Sequence, residues 1–156
     1  MSKPLSGQVA FVTGASGGLG LRFARILSEA GASVALAARR KDRIEAEAEG
    51  LRSTGARAVA ITLDVTDAAA IPLALDEAQA ALGPLSIMVN NAGVGGEGLA
   101  VDIPVEVWDD TYAVNVRGVF LGSREAAKRM FASGVAARGD ARIINIASIG
   151  AHAVLA

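Results

Sequence analysis

The chain has 156 residues, no cysteine and a formal charge of −1, with 52% apolar and 20% charged residues. That length suits one domain with a real core, and the missing cysteines exclude disulfides and thiolate metal sites. A near-neutral balance without a basic block argues against a nucleic-acid surface, and no apolar run approaches the roughly eighteen residues that would span a bilayer. The start lacks the apolar segment of a signal peptide, so a cytoplasmic protein is expected. One histidine and scattered carboxylates form no metal-ligand pattern, and no metal is expected.

After a polar opening with Pro4 and Gly7, the first strand is predicted over Gln8–Thr13 and the first helix over Gly18–Ala30. Leu19, Phe23, Ile26, Leu27 and Ala30 give that helix its apolar spacing, and Gly31 stands where it ends. A second strand follows over Ser33–Ala38, then a charged helix over Lys41–Thr54 that stops near Gly55. Its Glu45, Glu47 and Glu49 with Arg43 and Arg52 read as a solvated face. The third strand spans Arg57–Leu63 and leads into Asp64-Val65-Thr66-Asp67. Thr66 or Asp67 is then expected to cap a helix that buries Ile71, Leu75, Ala78 and Leu82, with Pro72 in or just after its opening turn and Gly83-Pro84 as the stop. Leu85–Asn90 is a fourth strand, Asn91–Gly98 a glycine-rich loop, and one long helix runs from about Val105 or Trp108 to Ala132. Gly134–Asp140 is a loop and Ala141–Ser148 a fifth strand. Strands alternating with helices imply a parallel sheet, right-handed crossovers and helices on both faces; nearly continuous apolar strands fit burial on both sides.

The organising stretch is Val9-Ala10-Phe11-Val12-Thr13-Gly14-Ala15-Ser16-Gly17-Gly18-Leu19-Gly20: strand, glycine turn, helix start. Glycines let backbone approach a diphosphate with no Cβ in the way, and a helix start offers unpaired N–H groups and a positive dipole end. A tight turn with no ligand is the alternative. Ligands of open parallel sheets bind outside the carboxyl ends of the strands, where strand order reverses. Thr13, Asp64, Asn91 and Ser148 all fall at such ends.

Taken together these residues resemble the short-chain dehydrogenase/reductase family over essentially the whole chain. Thr13-Gly14-Ala15-Ser16-Gly17-Gly18-Leu19-Gly20 is similar to the family's T-G-x-x-x-G-x-G cofactor turn, Asp64-Val65 to its adenine-contacting pair, and Asn90-Asn91-Ala92-Gly93 to its N-N-A-G element. Asn115 and Ser148 fall where the family keeps catalytic residues. The resemblance implies a Rossmann-type, doubly wound α/β fold with strand order 3-2-1-4-5 in the part present. It also implies cofactor contacts from Gly14, Ser16, Gly17, Gly18, Leu19, Gly20, Arg39, Arg40, Asp64, Val65, Asn91, Ala92 and Gly93. Asp64 would accept from the adenine amino group; a turn aspartate is the other reading. For Gly93 the other reading is a turn that needs positive φ. Ser148 would donate to the substrate's carbonyl or hydroxyl oxygen, or cap the strand end. Asn115 would hold a water in a proton relay, or face solvent.

Cofactor preference follows from charge. An acid at the end of the second strand would accept from a ribose 2′-OH, whereas arginine accommodates a 2′-phosphate. Here the run is Leu36-Ala37-Ala38-Arg39-Arg40, so NADP is expected over NAD, with Arg39 on the phosphate and Arg40 in support; exposed residues at a helix start are the alternative.

The family's proton donor is a tyrosine with a lysine four positions later, and this sequence has no such pair: Tyr112 is followed at that spacing by Val116. A phenol with its ordinary pKa near 10 needs a neighbouring cation to work at neutral pH. The 156 residues alone are therefore expected to be inactive, and to be a C-terminally incomplete dinucleotide-binding domain. Arg142-Ile143-Ile144-Asn145-Ile146-Ala147, built like an interior strand, points the same way. The long helix spreads Trp108, Val114, Val116, Val119, Phe120, Ala127 and Met130 widely, which fits either a homo-oligomer interface (dimer or tetramer) or deep burial. His152 and Glu97 read as incidental. The function expected is an oxidoreductase passing a hydride between NADP(H) and a small secondary alcohol or ketone, with a non-catalytic dinucleotide-binding module as the alternative. Epimerase or dehydratase chemistry is a more distant third.

Overall fold

The computed structural model describes residues 3–95 and 99–148; Glu97 and His152 lie outside them. Five strands, β1 (Val9–Thr13), β2 (Ser33–Ala38), β3 (Ala58–Thr62), β4 (Ile87–Asn90) and β5 (Arg142–Asn145), form one sheet in the order β3-β2-β1-β4-β5. Every pairing is parallel, from Val9 against Ser33 to Asn90 against Asn145. The helices are α1 (Gly18–Glu29), α2 (Lys41–Ser53), α3 (Ala70–Leu82), α4 (Val105–Tyr112) and α5 (Val119–Ala132), with a π-helical turn over Ala113–Gly118 between the last two. This is the doubly wound arrangement expected, with its strand order.

Alternation along β1 builds two core layers. Val9 and Phe11 pack with Ile71, Leu75 and Ala78 of α3 and Leu121, Ala126 and Met130 of α5. Ala10 and Val12 point the other way, onto Ala24 of α1 and Ile44, Ala48 and Leu51 of α2. All of β1, β2 and β4 is buried, which is why these strands read as unbroken apolar runs. On the solvent face of α2, Arg52 pairs with Glu45 and Glu49 at 2.7 and 2.8 Å, the solvated network expected there.

Four expectations need correction. In α1 the buried line is Gly20, Ala24 and Ser28, while Leu19 and Ile26 are 59% and 49% exposed. Gly20 lies against the bend before the helix, where a Cβ would meet Gly14 O, while Phe23 and Leu27 pack half-buried against the core as expected. The long helix is interrupted by the π-helical turn, and α4 buries no residue: Trp108 is 64% exposed, and Tyr112, Val116 and Phe120 are exposed with it. Deep burial is therefore excluded for that face. β3 and β5 are shorter than expected, and all four residues of β5 are exposed, Ile143 and Ile144 included. α3 begins later than a cap at Asp67 would place it, yet Asp67 does hold its start. Its Oδ1 accepts from the N–H groups of Ala69 and of Ala70, the first helical residue (2.9 and 3.2 Å), and Pro72 sits in the opening turn as expected, where no N–H is missed.

Candidate functional site

The bend at residues 14–20 joins β1 to α1 and shows why its glycines are glycine. Gly14 has φ +67°, and a Cβ there would lie 2.9 Å from Ala92 Cα and from Asn91 Nδ2. A Cβ on Gly20 would lie 2.5 Å from Gly14 O and Asn91 Nδ2. These two positions serve the protein's own packing. Gly18 has φ +55° with open space around its would-be Cβ, and at Gly17 the nearest atom would be Arg40 Nη2 at 4.0 Å. Open space along the bend thus lies at Gly17 and Gly18. No side chain caps α1 and no acid stands in its first turn, so its leading N–H groups and dipole face the opening uncompensated.

Thr13 locks the bend to the next loop. Its Oγ1 accepts from the N–H groups of Asn91 and Ala92, both at 2.9 Å, and Asn91 Nδ2 donates to Thr13 O at 2.9 Å. The clamp joins β1 to β4, the point where strand order reverses. Asn91 thus holds the clamp with one of its two amide N–H groups while lining the cavity beside it. Behind it, buried Asn90 donates through Nδ2 to Ser123 Oγ (2.9 Å) and Asn145 Oδ1 (2.8 Å), tying β4 to α5 and β5.

Around this clamp lies a cavity of about 300 Å³ lined by Gly14, Ser16, Ala38, Arg39, Arg40, Leu63, Asp64, Val65, Asn91, Ala92, Gly93, Val94 and Val114. It unites the bend, the basic run after β2 and the Asp64-Val65 pair, all at the carboxyl edge. Its size is at the lower end of small-molecule pockets. Arg40 Nη2 donates to Ser16 Oγ at 2.9 Å, so the second arginine of the run, not the first, is anchored across the opening. Arg39 stands near enough to Asp64 to favour its ionised form. Asp64 Oδ1 accepts from Thr66 N–H (2.9 Å) and Thr66 Oγ1–H (2.8 Å), the turn reading of this residue. That backbone bond is the main reason its carboxyl sits below the ordinary carboxylate range, against partial desolvation. Gly93 does not have the positive φ that a turn would need; a Cβ there would lie 3.5 Å from Asn115 Oδ1, an ordinary contact.

The family model for short chain dehydrogenases matches residues 8–156. This chain belongs to the short-chain dehydrogenase family. It is 35% identical over 152 residues to the 2,3-dihydro-2,3-dihydroxybenzoate dehydrogenase of Bacillus subtilis, covering 97% of this chain and 55% of that protein. A short-chain type dehydrogenase/reductase structure from Mycobacterium marinum superposes with a TM-score of 0.91 at 36% identity, over 99% of this chain and 61% of the other. The structure of a gluconate 5-dehydrogenase from Burkholderia cenocepacia in complex with NADP and tartrate gives 0.88 at 32% identity, over 99% and 58%. The chain spans about half the length of the curated relatives it matches.

For a short-chain dehydrogenase the cofactor residues expected from the motifs converge, apart from Gly17, Gly18, Leu19 and Gly20, which lie on the adjoining bend rather than in the cavity lining. Asn115 and Ser148 are not among the described residues that line it. Asn115 sits in the π-helical turn, and its amide is closed on one residue: Val94 N–H donates to Oδ1 (2.9 Å) and Nδ2 donates to Val94 O (2.7 Å). Its side chain is exposed, as the solvent-facing reading has it, and these two bonds also pin the loop after β4. Ser148 is exposed, three residues beyond β5. The Thr13 clamp, the Asn90–Ser123–Asn145 network and the lining role of Val114 were missed from sequence. A polar Asn145 inside an apolar run was the one visible signal.

Among the described residues no cluster of three metal-ligating side chains occurs, and no helix is long and apolar enough to cross a membrane. A larger cavity, about 770 Å³, opens at the amino ends of the strands beside Val9, Ser33, Gly31 and Gly55.

Proposed function

We propose that the protein is an NADP(H)-dependent oxidoreductase of a secondary alcohol or ketone, with the residues described here forming its nucleotide-holding part. The observation that carries the reading is the convergence of Ser16, Arg39, Arg40, Asp64, Val65 and the Asn91–Gly93 turn on one cavity beside an uncapped helix start. The residues fit a dinucleotide. The N–H groups of Gly18, Leu19 and Gly20 would take the diphosphate, Asp64 and Val65 the adenine, and Arg39 with the Ser16-anchored Arg40 a 2′-phosphate. Ala38 places no carboxylate where it would repel that phosphate. The relative from Burkholderia cenocepacia, solved with NADP and tartrate, supports the same choice. When bound, the nicotinamide would supply the hydride chemistry. Ser148 would donate a hydrogen bond to the substrate oxygen, lowering the cost of charge developing there, and Asn115 would hold the Val94 loop beside it.

The exposed Trp108, Tyr112, Val116 and Phe120 support a homo-oligomer, dimer or tetramer; the family supports a small-molecule substrate. A non-catalytic nucleotide-binding role is the second reading, favoured by the engagement of Asn115 with Val94 alone. The deciding titration follows nicotinamide fluorescence with NADPH and NADH on wild type and Arg39→Ala. Removing a charge-assisted bond to phosphate should weaken NADPH about tenfold or more and leave NADH within about twofold. Unchanged NADPH affinity would refute the 2′-phosphate assignment. Reduction of a ketone panel by the full chain separates enzyme from binding module.

A further inference from the structure

The π-helical turn touches both walls of the cavity. On one side Asn115 holds Val94; on the other, Arg117 Nη2 donates to Thr66 O at 3.1 Å, and a Cβ on Gly118 would lie only 3.2 Å from Val65 Cβ, Cγ2 and O. Val114, between them, lines the cavity itself. The turn after β3 is closed internally, by Asp64 Oδ1 on Thr66 and by Asp67 N–H on Asp64 O. Those bonds give the turn its shape but do not say where it sits relative to the bend at residues 14–20. Its seat comes from contacts with other elements, and Arg117 and Gly118 supply two of them from a single helical turn. A π-helical turn inserts one residue into a helix and is frequent at functional sites. Here it carries Asn115 and Arg117 to opposite walls.

We propose that Arg117 is a positioning residue for the adenine end of the cleft: by holding Thr66 O it seats the Asp64–Thr66 turn at the distance from Arg39 and the glycine bend that a dinucleotide requires. The inference rests on the binding reading above and adds a residue that touches no part of the ligand. It also makes the π-helical turn a strut shared by the two walls, so that loosening one side is felt in nucleotide affinity while the core stays intact.

The test compares wild type, Arg117→Met and Arg117→Lys by amide hydrogen exchange without ligand and by NADPH titration at low and high salt. In Arg117→Met, exchange at Val65–Asp67 should rise about threefold or more while β1 is unchanged, and NADPH affinity should fall about fivefold at both salt concentrations. Arg117→Lys, which keeps a donor, should recover most of both. Gly118→Ala, crowding Val65 from the same side, should give the same local signature. Unchanged exchange in Arg117→Met, or an affinity loss that vanishes at high salt, as long-range charge would, overturns the proposal. If wild type binds no dinucleotide, the parent reading fails and the positioning role with it. Faster exchange in that case marks Arg117 as a structural anchor only.

Discussion

At the carboxyl edge of this sheet the chain starts α1 and α2; at the amino edge it finishes them. Each edge has a cavity, about 300 Å³ at the first and 770 Å³ at the second. The smaller one has the physics of an anion site: an uncapped helix start, two arginines and a bend whose Gly17 and Gly18 leave open space. The larger is lined by the finishing turns of α1 and α2 with Glu29 and Glu47. There the dipole ends are negative, Arg25 is paired with Glu47 at 2.7 Å, and Arg57 donates to Ala81 O. Volume alone would favour the amino edge; helix direction favours the carboxyl edge, where we propose that the nucleotide binds.

The harshest way to break this contrast is Gly20→Ala. Its Cβ would meet Gly14 O and Asn91 Nδ2 at 2.5 Å, so the bend and the Thr13 clamp must both move. A loss of about 3 kcal/mol in urea unfolding is expected, with nucleotide binding abolished; a loss below about 1 kcal/mol would mean that the bend yields freely. Thr13→Val keeps the shape but leaves the N–H groups of Asn91 and Ala92 without Oγ1, an expected cost of about 2 kcal/mol with weakened NADPH binding. Its counterpart at the amino edge is Ser86→Ala. Ser86 Oγ accepts from Val9 N–H at 2.8 Å and donates to Val9 O at 3.0 Å, so stability should fall by about 1 kcal/mol while NADPH affinity stays at the wild-type value. Equal binding losses in the two variants would erase the distinction between edges.

Gly18→Ala sharpens the contrast. Only the positive φ opposes it, about 1 kcal/mol in unfolding, yet its methyl enters the open side of the bend and should weaken NADPH about tenfold. Smallest is the acid dependence of Asp64. Its folded-state pKa is lowered by the Thr66 N–H, so its contribution is fully present above its unfolded value near 4 and is lost as pH falls through the lower folded value. The stability difference between wild type and Asp64→Asn should therefore be visible at pH 7 and shrink toward pH 3. A pH-independent difference would show that ionisation plays no part in the turn.

The same contrast explains what the sequence made legible. Strand order came from the family resemblance. The parallel sheet and its carboxyl edge were readable because β1, β2 and β4 are buried on both faces and show as apolar runs, while glycines and Asp64-Val65 punctuate strand ends. The seat of α1 was not, because Gly20, Ala24 and Ser28 carry little hydrophobic signal although they make the contact. The interruption after Tyr112 was equally hidden: Ala113-Val114-Asn115-Val116-Arg117-Gly118 has no proline, and its geometry is set by bonds to Val94 and Thr66, distant in sequence. Within the site, Arg39 and Arg40 were legible as part of the carboxyl-edge lining because they directly follow β2. The bonds of Asn91 to Thr13 and of Asn115 to Val94 were not legible, because their partners are distant in sequence.

The most direct test is a titration of the isotopically labelled protein with NADPH, following backbone amide shifts at both edges. Saturable shifts concentrated at Ser16–Gly20, Arg39–Arg40 and Asp64–Val65, with Gly31 and Gly55 still, are the predicted result. Shifts centred on Gly31 and Gly55, or none at Gly17 and Gly18 at saturating nucleotide, would contradict it.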